Sequence, residues 1–333
     1  MIPVHTPSSL LAARWQPTAA TVRRAALAAL VMSVVIVVTG GAVRLTASGL
    51  GCSTWPRCTA DSLTPTAEMG LHGVIEFTNR MLTYVLCAAV AWVTLAARCL
   101  PQPSAGGTPY PWRRSVTRLG WAQFWLVMSN AVLGGITVLT GLNPYIVGAH
   151  LIAAMALVWV ALLTWERTKE GDGAPQPLVG RPVLRLANVL VLVIGLLVVA
   201  GTLVTGAGHH PGASSADGRP VHRIPVDYDR LAQLHTDLAF LSFGLAIAAV
   251  FVLAAVKAPA AARARAKELL VVLLAQGLIG FVQYFTDAPE ILVGLHMLGA
   301  ALVWIAALRI PLSLRSRSEP AAPVVPAQEL QSA

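Results

Sequence analysis

Eight long apolar stretches place the strongest constraint on what this chain can fold into. A membrane-spanning helix needs about 20 mostly apolar residues, because every backbone polar group inside lipid must be bonded within the protein. The composition agrees, since 56% of the 333 residues are hydrophobic and only 12% are charged, with a mean hydropathy of +0.68. We therefore predict an all-α integral membrane protein. The predicted spans are Ala25–Val43, His72–Ala97, Val116–Thr140, Pro144–Trp165, Val183–Gly206, Leu231–Val256, Leu269–Phe285 and Ile291–Ile310.

The basic residues predict the orientation in the membrane. Eight spans place both termini on one side, and 18 of the 24 Lys and Arg residues lie in segments on that side. By the positive-inside rule this side is cytoplasmic. The predicted location is the cell (plasma) membrane. Because the basic residues lie between apolar runs, the net charge of +9 indicates orientation and no nucleic-acid partner.

The chain repeats itself. Asn130–His150 aligns without a gap on Gln276–His296, with matching glycines and a matching final histidine. A second match pairs Val37–Val43 with Val198–Val204, at the start of each half. We therefore predict eight transmembrane helices arranged as two tandem, pseudo-symmetric four-helix bundles. Each half has an even number of spans, so the repeat is parallel rather than inverted.

The repeat and the spans divide the chain into five parts. These are a cytoplasmic tail at 1–24, an N-terminal bundle at 25–166, a cytoplasmic linker at 167–182, a C-terminal bundle at 183–312 and a disordered cytoplasmic tail at 313–333.

Each even-numbered span carries a histidine near its outer end: His72, His150, His235 and His296. Zinc would favour three or four convergent ligands, and a di-iron bundle would need paired Glu-x-x-His motifs that are absent. Two separate pairs, His72 or a neighbour with His150 and His235 with His296, instead suit planar macrocycles whose iron takes one imidazole from each of two facing helices. The pattern favours a two-heme membrane protein.

The stretch Leu71–Arg80 carries a second polar pattern. His72, Glu76, Asn79 and Arg80 share one helical face. A carboxylate at the centre of a span costs about 2.5–3.5 kcal/mol, so Glu76 needs a partner or a position near the interface. The pattern alone leaves two interpretations open, an ion pair with Arg80 or a site for proton transfer.

At these residues the chain resembles a known family, the heme A synthases of aerobic bacteria and mitochondria, and most closely their actinobacterial branch. The most specific segment is TGGAVRLTASGLGCSTWPRC at Thr39–Cys58. Weaker signatures are IEFTNR at Ile75–Arg80, GAH at His150, QLH at His235 and GLH at His296.

The resemblance covers nearly all of Ala25–Ile310 and implies a function. The family oxidises a methyl substituent of heme O to a formyl group, giving heme A for terminal oxidases. By resemblance, His235 and His296 would hold a resident heme b, and the N-terminal half would receive heme O as substrate and release heme A. A catalytic role for Glu76 is implied in the same way.

One residue departs from the family pattern. The family has Glu-x-x-His-Arg in span two, with the histidine as a heme ligand, whereas this chain has Asn79 there. Either His150 binds the substrate heme alone, or His72 replaces the missing imidazole as a ligand or gate. LHGVIEF at Leu71–Phe77 parallels LHTDLAF at Leu234–Phe240, which favours His72. The distance of two turns, roughly 10 Å along the helix axis, counts against it.

The resemblance also assigns roles in the first outer loop. Cys52 and Cys58 would form a disulfide near the substrate heme, in a compartment where disulfides persist. Basic residues of the family lie near the heme propionates, which makes Arg44, Arg57 and Arg80 candidate partners for those carboxylates.

Two other classes of function account for part of the sequence pattern. A non-enzymatic diheme electron-transfer protein of the b type explains the histidines equally well, but not Glu76 or the cysteine loop. A solute transporter would expect broken helices and a midplane site. The expected partners are heme O and the lipid bilayer, with the heme O synthase, terminal oxidase assembly factors and a second copy of the chain as further candidates.

Overall fold

The computed structural model describes residues 14–100, 114–213 and 222–318, and this part contains eight helices long and apolar enough to span a membrane. The helices are α1 Ala19–Leu45, α2 Gly70–Cys99, α3 Arg114–Leu139, α4 Pro144–Arg167, α5 Arg181–Ala207, α6 Tyr228–Ala255, α7 Ala260–Phe285 and α8 Glu290–Ser313. A 3-10 turn at Ala67–Met69 precedes α2. The prediction of an all-α membrane protein with eight spans is confirmed.

Capping residues mark where several helices begin. The hydroxyl of Thr18 accepts a hydrogen bond from the backbone amide of Thr21 at the start of α1, and Asp227 caps α6 by accepting from the amide of Arg230. Asn143 and Pro144 together begin α4. Such residues satisfy the unbonded amides of a first turn.

The largest difference from the predicted spans is at α7, which begins at Ala260 rather than Leu269. Residues 260–268 are alanine-rich and basic, so they favour a helix but are too polar for a hydrocarbon core. Hydropathy therefore found the span but not the full helix.

Each half of the chain closes into a ring of four helices. In the first ring α1 packs on α2 and α4, and α3 packs on α2 and α4; α5 to α8 repeat this pattern. The rings meet where α1 and α4 face α5 and α8, around a cluster that includes Leu30, Val158, Leu162 and Leu308.

Close packing is concentrated near one end of both rings. In the first ring the buried cluster includes Val22, Val93 and Leu157, and in the second Leu190, Leu269 and Ile310, all in the half of each helix nearer to the chain termini. The four helix-borne histidines lie in the other half. We call the tightly packed end the inner end and the histidine end the outer end.

A short strand pair ties the chain together at the inner end. β1 at Gln176–Pro177 pairs antiparallel with β2 at Arg315–Ser316, and the amide of Gly173 donates to the carbonyl of Ser318 at 2.9 Å. Residues up to Ser318 of the segment predicted as a disordered tail are therefore held by the 167–182 linker. Residues 319–333, and residues 1–13 of the predicted N-terminal tail, lie outside the described residues.

Candidate functional site

In the C-terminal ring, His235 of α6 and His296 of α8 face each other. Their ring centroids are 6.3 Å apart, with the ring planes at 62°. A metal bound between two imidazoles through bonds of about 2 Å places the ring centroids about 6 Å apart. The predicted pair is therefore assembled, at a spacing that accommodates one iron atom between the two rings.

Both imidazoles rest against glycines of neighbouring helices. A Cβ atom added at Gly201 of α5 would lie 3.2 Å from His235, and one added at Gly280 of α7 would lie 3.1 Å from His296. These distances are shorter than ordinary van der Waals contact, so any side chain at either position would displace the imidazole. The glycines thus set the position of both rings.

The hydrogen bonding of His235 fits a metal ligand. Nδ1 of His235 lies 3.1 Å from the carbonyl oxygen of Leu197, which selects the tautomer with a proton on Nδ1 and leaves Nε2 with a free lone pair. Nδ1 of His296 is buried and has no hydrogen-bond partner in the described part of the chain. The two imidazoles and the glycines on which they pack therefore fit a heme iron.

The N-terminal ring reproduces one side of this arrangement. His150 of α4 lies against Gly134 of α3, where an added Cβ would be 3.3 Å from the ring. Its Nδ1 is buried and, among the residues described, unbonded, as in His296. The repeat predicted from Asn130–His150 and Gln276–His296 therefore extends to the packing of the imidazole on its glycine.

In the N-terminal ring, α2 carries an asparagine at the level where α6 of the other ring carries His235. The hydroxyl of Thr39 donates to Oδ1 of Asn79 at 2.8 Å, while a Cβ added at the adjacent Gly40 would meet no atom within 4 Å. In the repeat Gly40 corresponds to Gly201, which holds His235. Asn79 thus occupies on α2 the level that His235 occupies on α6.

The alignment of Asn79 with His235 differs from the local sequence match that favours His72. Matching Leu71–Phe77 with Leu234–Phe240 aligns His72 with His235, but the contacts align Asn79 with His235. The two alignments differ by seven residues, which is two turns, so the same helix face is presented in both. In the register of the contacts, Glu76 corresponds to Ala232, so the carboxylate belongs to the N-terminal half alone.

His72 lies nearer to the outer loop than Asn79. It is exposed, and its Nδ1 lies 2.9 Å from the hydroxyl of the buried Ser48, three residues after the end of α1. The prediction that His72 is a ligand or gate remains a prediction, now with a specific loop partner.

Glu76 is buried on α2, with 5% of its surface exposed, and both carboxylate oxygens accept hydrogen bonds. Oε2 accepts from the backbone amide of Cys52 at 2.5 Å, and Oε1 accepts from Nη2 of Arg80 at 2.5 Å. Arg80 also donates to the carbonyl oxygens of Thr54 and Arg57. The Glu76 carboxylate therefore joins the first outer loop to α2, and it is buried beside its ion-pair partner Arg80.

The first outer loop folds over the N-terminal ring. Cys52 and Cys58 are fully buried and joined by the predicted disulfide. Trp55, between them, packs its indole against Gly135 of α3, the residue after the glycine that supports His150. The sequence alone does not predict this contact, because a tryptophan at a membrane interface usually needs no other function.

The three arginines predicted to bind propionates are held by backbone carbonyls. Arg44 donates to the carbonyl oxygens of Thr205 at 2.7 Å and His210 at 2.6 Å, so it joins α1 to the second half. Arg57 is exposed and donates to Ala60. Arg80 bonds both Glu76 and the backbone carbonyl of Arg57, whereas Arg44 lies at the junction of the halves. Their propionate roles remain predictions.

Comparisons with known proteins match most of the chain's sequence to one family. The family model described as "Cytochrome oxidase assembly protein" (COX15-CtaA) matches residues 23–308. A protein named heme A synthase from Azorhizobium caulinodans is 29% identical over 88% of this chain and 93% of its own length. Another of that name from Lysinibacillus sphaericus is 30% identical over 54% of this chain, and the match spans 56% of that relative's length.

Proposed function

The chain belongs to the COX15-CtaA family of cytochrome oxidase assembly proteins, and from that premise we propose that it is a heme A synthase. The proposed reaction is oxidation of the methyl substituent of heme O to the formyl group of heme A. The observation that carries the proposal is the difference between the two rings, with paired imidazoles in one and, in the other, a single imidazole on α4 and a buried carboxylate on α2.

We propose that the C-terminal ring holds a resident heme b. His235 and His296 supply two imidazoles whose ring centroids lie 6.3 Å apart, and each ring packs on a glycine of a neighbouring helix, Gly201 or Gly280. Two nitrogen ligands on packed helices favour permanent binding. When bound, this heme would accept electrons from the substrate side; the chain's part is to hold it and exclude water.

We propose that the N-terminal ring binds heme O through His150. The position that matches His235 carries Asn79, a poor iron ligand whose Oδ1 already accepts a hydrogen bond from Thr39. A site with one strong ligand would release its product more easily than a site with two. His72 is the candidate second ligand or gate, and its bond to Ser48 would couple that role to the loop.

Glu76 is the proposed catalytic residue. Conversion of a methyl group to a formyl group, with the oxygen supplied by water, releases protons and electrons. The buried carboxylate can accept the protons, and the heme held by the C-terminal ring would pass the electrons to an external acceptor. The bonds from Cys52 and Arg80 hold both oxygens in fixed positions. Removal of one proton acceptor of this kind typically lowers the rate by about 10² to 10⁴ fold.

The location and partners follow from the same proposal. We place the chain in the plasma membrane with both termini in the cytoplasm, because the basic residues lie at the inner ends of the helices. A heme O synthase and terminal oxidase assembly factors are the proposed source of substrate and recipient of product, and a homo-oligomer is a further proposal.

The test is to produce the full chain together with a source of heme O, and to extract and separate the hemes of the purified protein by chromatography. Heme A formed only when the chain is present supports the proposal. Two heme b per chain without heme A, even with heme O supplied, would instead identify the b-type electron-transfer protein.

A further inference from the structure

An amide side chain on α7 bonds the backbone of a histidine in the C-terminal ring. Nε2 of Gln276 donates a hydrogen bond to the carbonyl oxygen of His296, at 2.8 Å. A carbonyl oxygen has two lone pairs, so it can accept this bond in addition to a bond within its own helix. The amide therefore joins α7 to α8 at the residue that carries the imidazole.

Gly299 of α8 provides the space for this amide. A Cβ atom added at Gly299 would overlap Oε1 of Gln276 and would lie 2.8 Å from its Cδ. Any other residue at this position would push the amide away from α8 and would weaken its bond to His296. Gln276 and Gly299 therefore form one contact between the two helices.

The repeat gives the N-terminal ring a shorter amide with a different partner. Asn130 of α3 corresponds to Gln276, and its Nδ2 donates to the carbonyl oxygen of Leu126, on its own helix, at 2.8 Å. Its Oδ1 has no hydrogen-bond partner among the described residues. Ala153 of α4 corresponds to Gly299, so a methyl group lies where the C-terminal ring has open space for the longer amide.

We propose that Gln276 is a positioning residue that holds His296 for permanent heme binding, and that the shorter Asn130 leaves α4 and His150 without this constraint. A heme bound by two imidazoles leaves its site only when a helix that carries a ligand moves away from the iron. The bond from Gln276 opposes that movement in α8. In the N-terminal ring, where substrate enters and product leaves, the corresponding bond stays within α3.

The inference rests on the proposed function, and its test measures how fast each heme leaves the purified full-length protein. Protein produced with heme O is mixed with an excess of an apo heme-binding protein, and the hemes that remain are separated by chromatography. Gln276→Asn shortens the amide, and Gly299→Ala keeps the amide but displaces it. The matched control is Gly277→Ala, next to Gln276 on α7, where an added Cβ meets no atom within 4 Å.

We expect Gln276→Asn and Gly299→Ala to release heme b about three- to tenfold faster than the wild-type protein, which is the size of effect that hydrogen bonds between membrane helices have. Release from Gly277→Ala should be unchanged. The electron paramagnetic resonance spectrum of the ferric heme depends on the angle between the two imidazole planes. It should change in the first two variants and not in the control.

The reciprocal variant installs the longer amide in the N-terminal ring. Asn130→Gln with Ala153→Gly should slow the release of heme O and heme A about threefold and leave the release of heme b unchanged. A general loss of packing cannot make release slower, so this variant separates a specific bond from a structural effect. It also decides the question if Gln276→Asn does not fold.

Release of heme b at the wild-type rate from folded Gln276→Asn and Gly299→Ala would overturn the proposal, as would equal acceleration in Gly277→Ala. Unchanged release from the reciprocal variant would overturn the assignment of Asn130. Wild-type protein that contains no heme b would instead contradict the proposed function, so the two failures are distinguishable.

Discussion

The two four-helix rings share a repeat, yet they present different side chains at their outer ends. The C-terminal ring pairs His235 with His296, whereas the N-terminal ring offers His150 on α4 and Asn79 at the matching level of α2. Glu76 and Arg80 correspond to Ala232 and Thr236 in the second ring. The comparison teaches that a few residues on one helix distinguish the two copies of a duplicated scaffold, and the proposed division between permanent and exchangeable binding rests on those residues.

The loops that cover the rings differ as well. The first outer loop contains a disulfide, bonds to Glu76 and packs Trp55 on α3. The second outer loop holds no cysteine; it meets the first through the amide of Gly49 and the carbonyl of Gly212, and receives Arg44. A pocket that is covered by a loop and contains a carboxylate is suited to a reaction that releases protons. The proposed difference in function between the rings therefore matches the difference between the loops that cover them.

The strongest test of this comparison removes the carboxylate. Glu76→Gln should retain the heme of the C-terminal ring but lower the formation of heme A by about 10² to 10⁴ fold, because the proton acceptor is lost. Heme A formed per chain and the heme spectrum are the two readouts. Glu68→Gln, an exposed carboxylate just before α2, is the matched control and should keep full activity. Full turnover in the Glu76 variant would assign the residue to structure alone.

Removal of the disulfide tests the loop. Cys52→Ser with Cys58→Ser should lower the free energy of unfolding of the loop region by about 2 kcal/mol, because a short cross-link no longer restricts the unfolded chain. Heme A formation should fall while the heme b of the C-terminal ring is retained. Cys87→Ser, which changes a free cysteine within α2, is the control. An equal loss of both hemes would show that the loop supports the whole fold rather than one ring.

Asn79→His would reduce the difference between the rings. The new imidazole should lie at the level that His235 has in the other ring, where the space beside Gly40 is open. It would add a second ligand to His150. We expect the N-terminal ring to retain its heme about tenfold longer, equivalent to about 1.4 kcal/mol, measured by transfer of heme to an acceptor protein. Asn79→Gln is the control. An unchanged transfer rate and spectrum would mean that Asn79 does not face the heme.

Substitutions of the glycines on which the imidazoles pack should give the smallest effects. Gly201→Ala and Gly134→Ala should each weaken heme retention by a few-fold, or about 1 kcal/mol, because the added Cβ presses on His235 or His150. Gly40→Ala has open space and should change nothing. A similar loss in all three variants would indicate a general effect on helix packing.

The sequence predicted the eight spans and their arrangement as two tandem four-helix bundles, because hydropathy and identical spacing are visible along the chain. It did not predict the level of Asn79. A shift of seven residues leaves the same helix face exposed, so a local match between His72 and His235 is indistinguishable from the register that packing selects. The contact of Trp55 with Gly135 and the bonds of Arg44 across the halves depend on how distant helices meet, which no local pattern encodes.

The most direct test of the account compares His150→Ala with His296→Ala in protein produced with heme O, by separating the hemes extracted from each. We predict that His150→Ala retains heme b and lacks heme O and heme A, whereas His296→Ala loses heme b. Loss of the same heme in both variants, or two heme b per chain in the wild-type protein, would contradict the division of roles between the two rings.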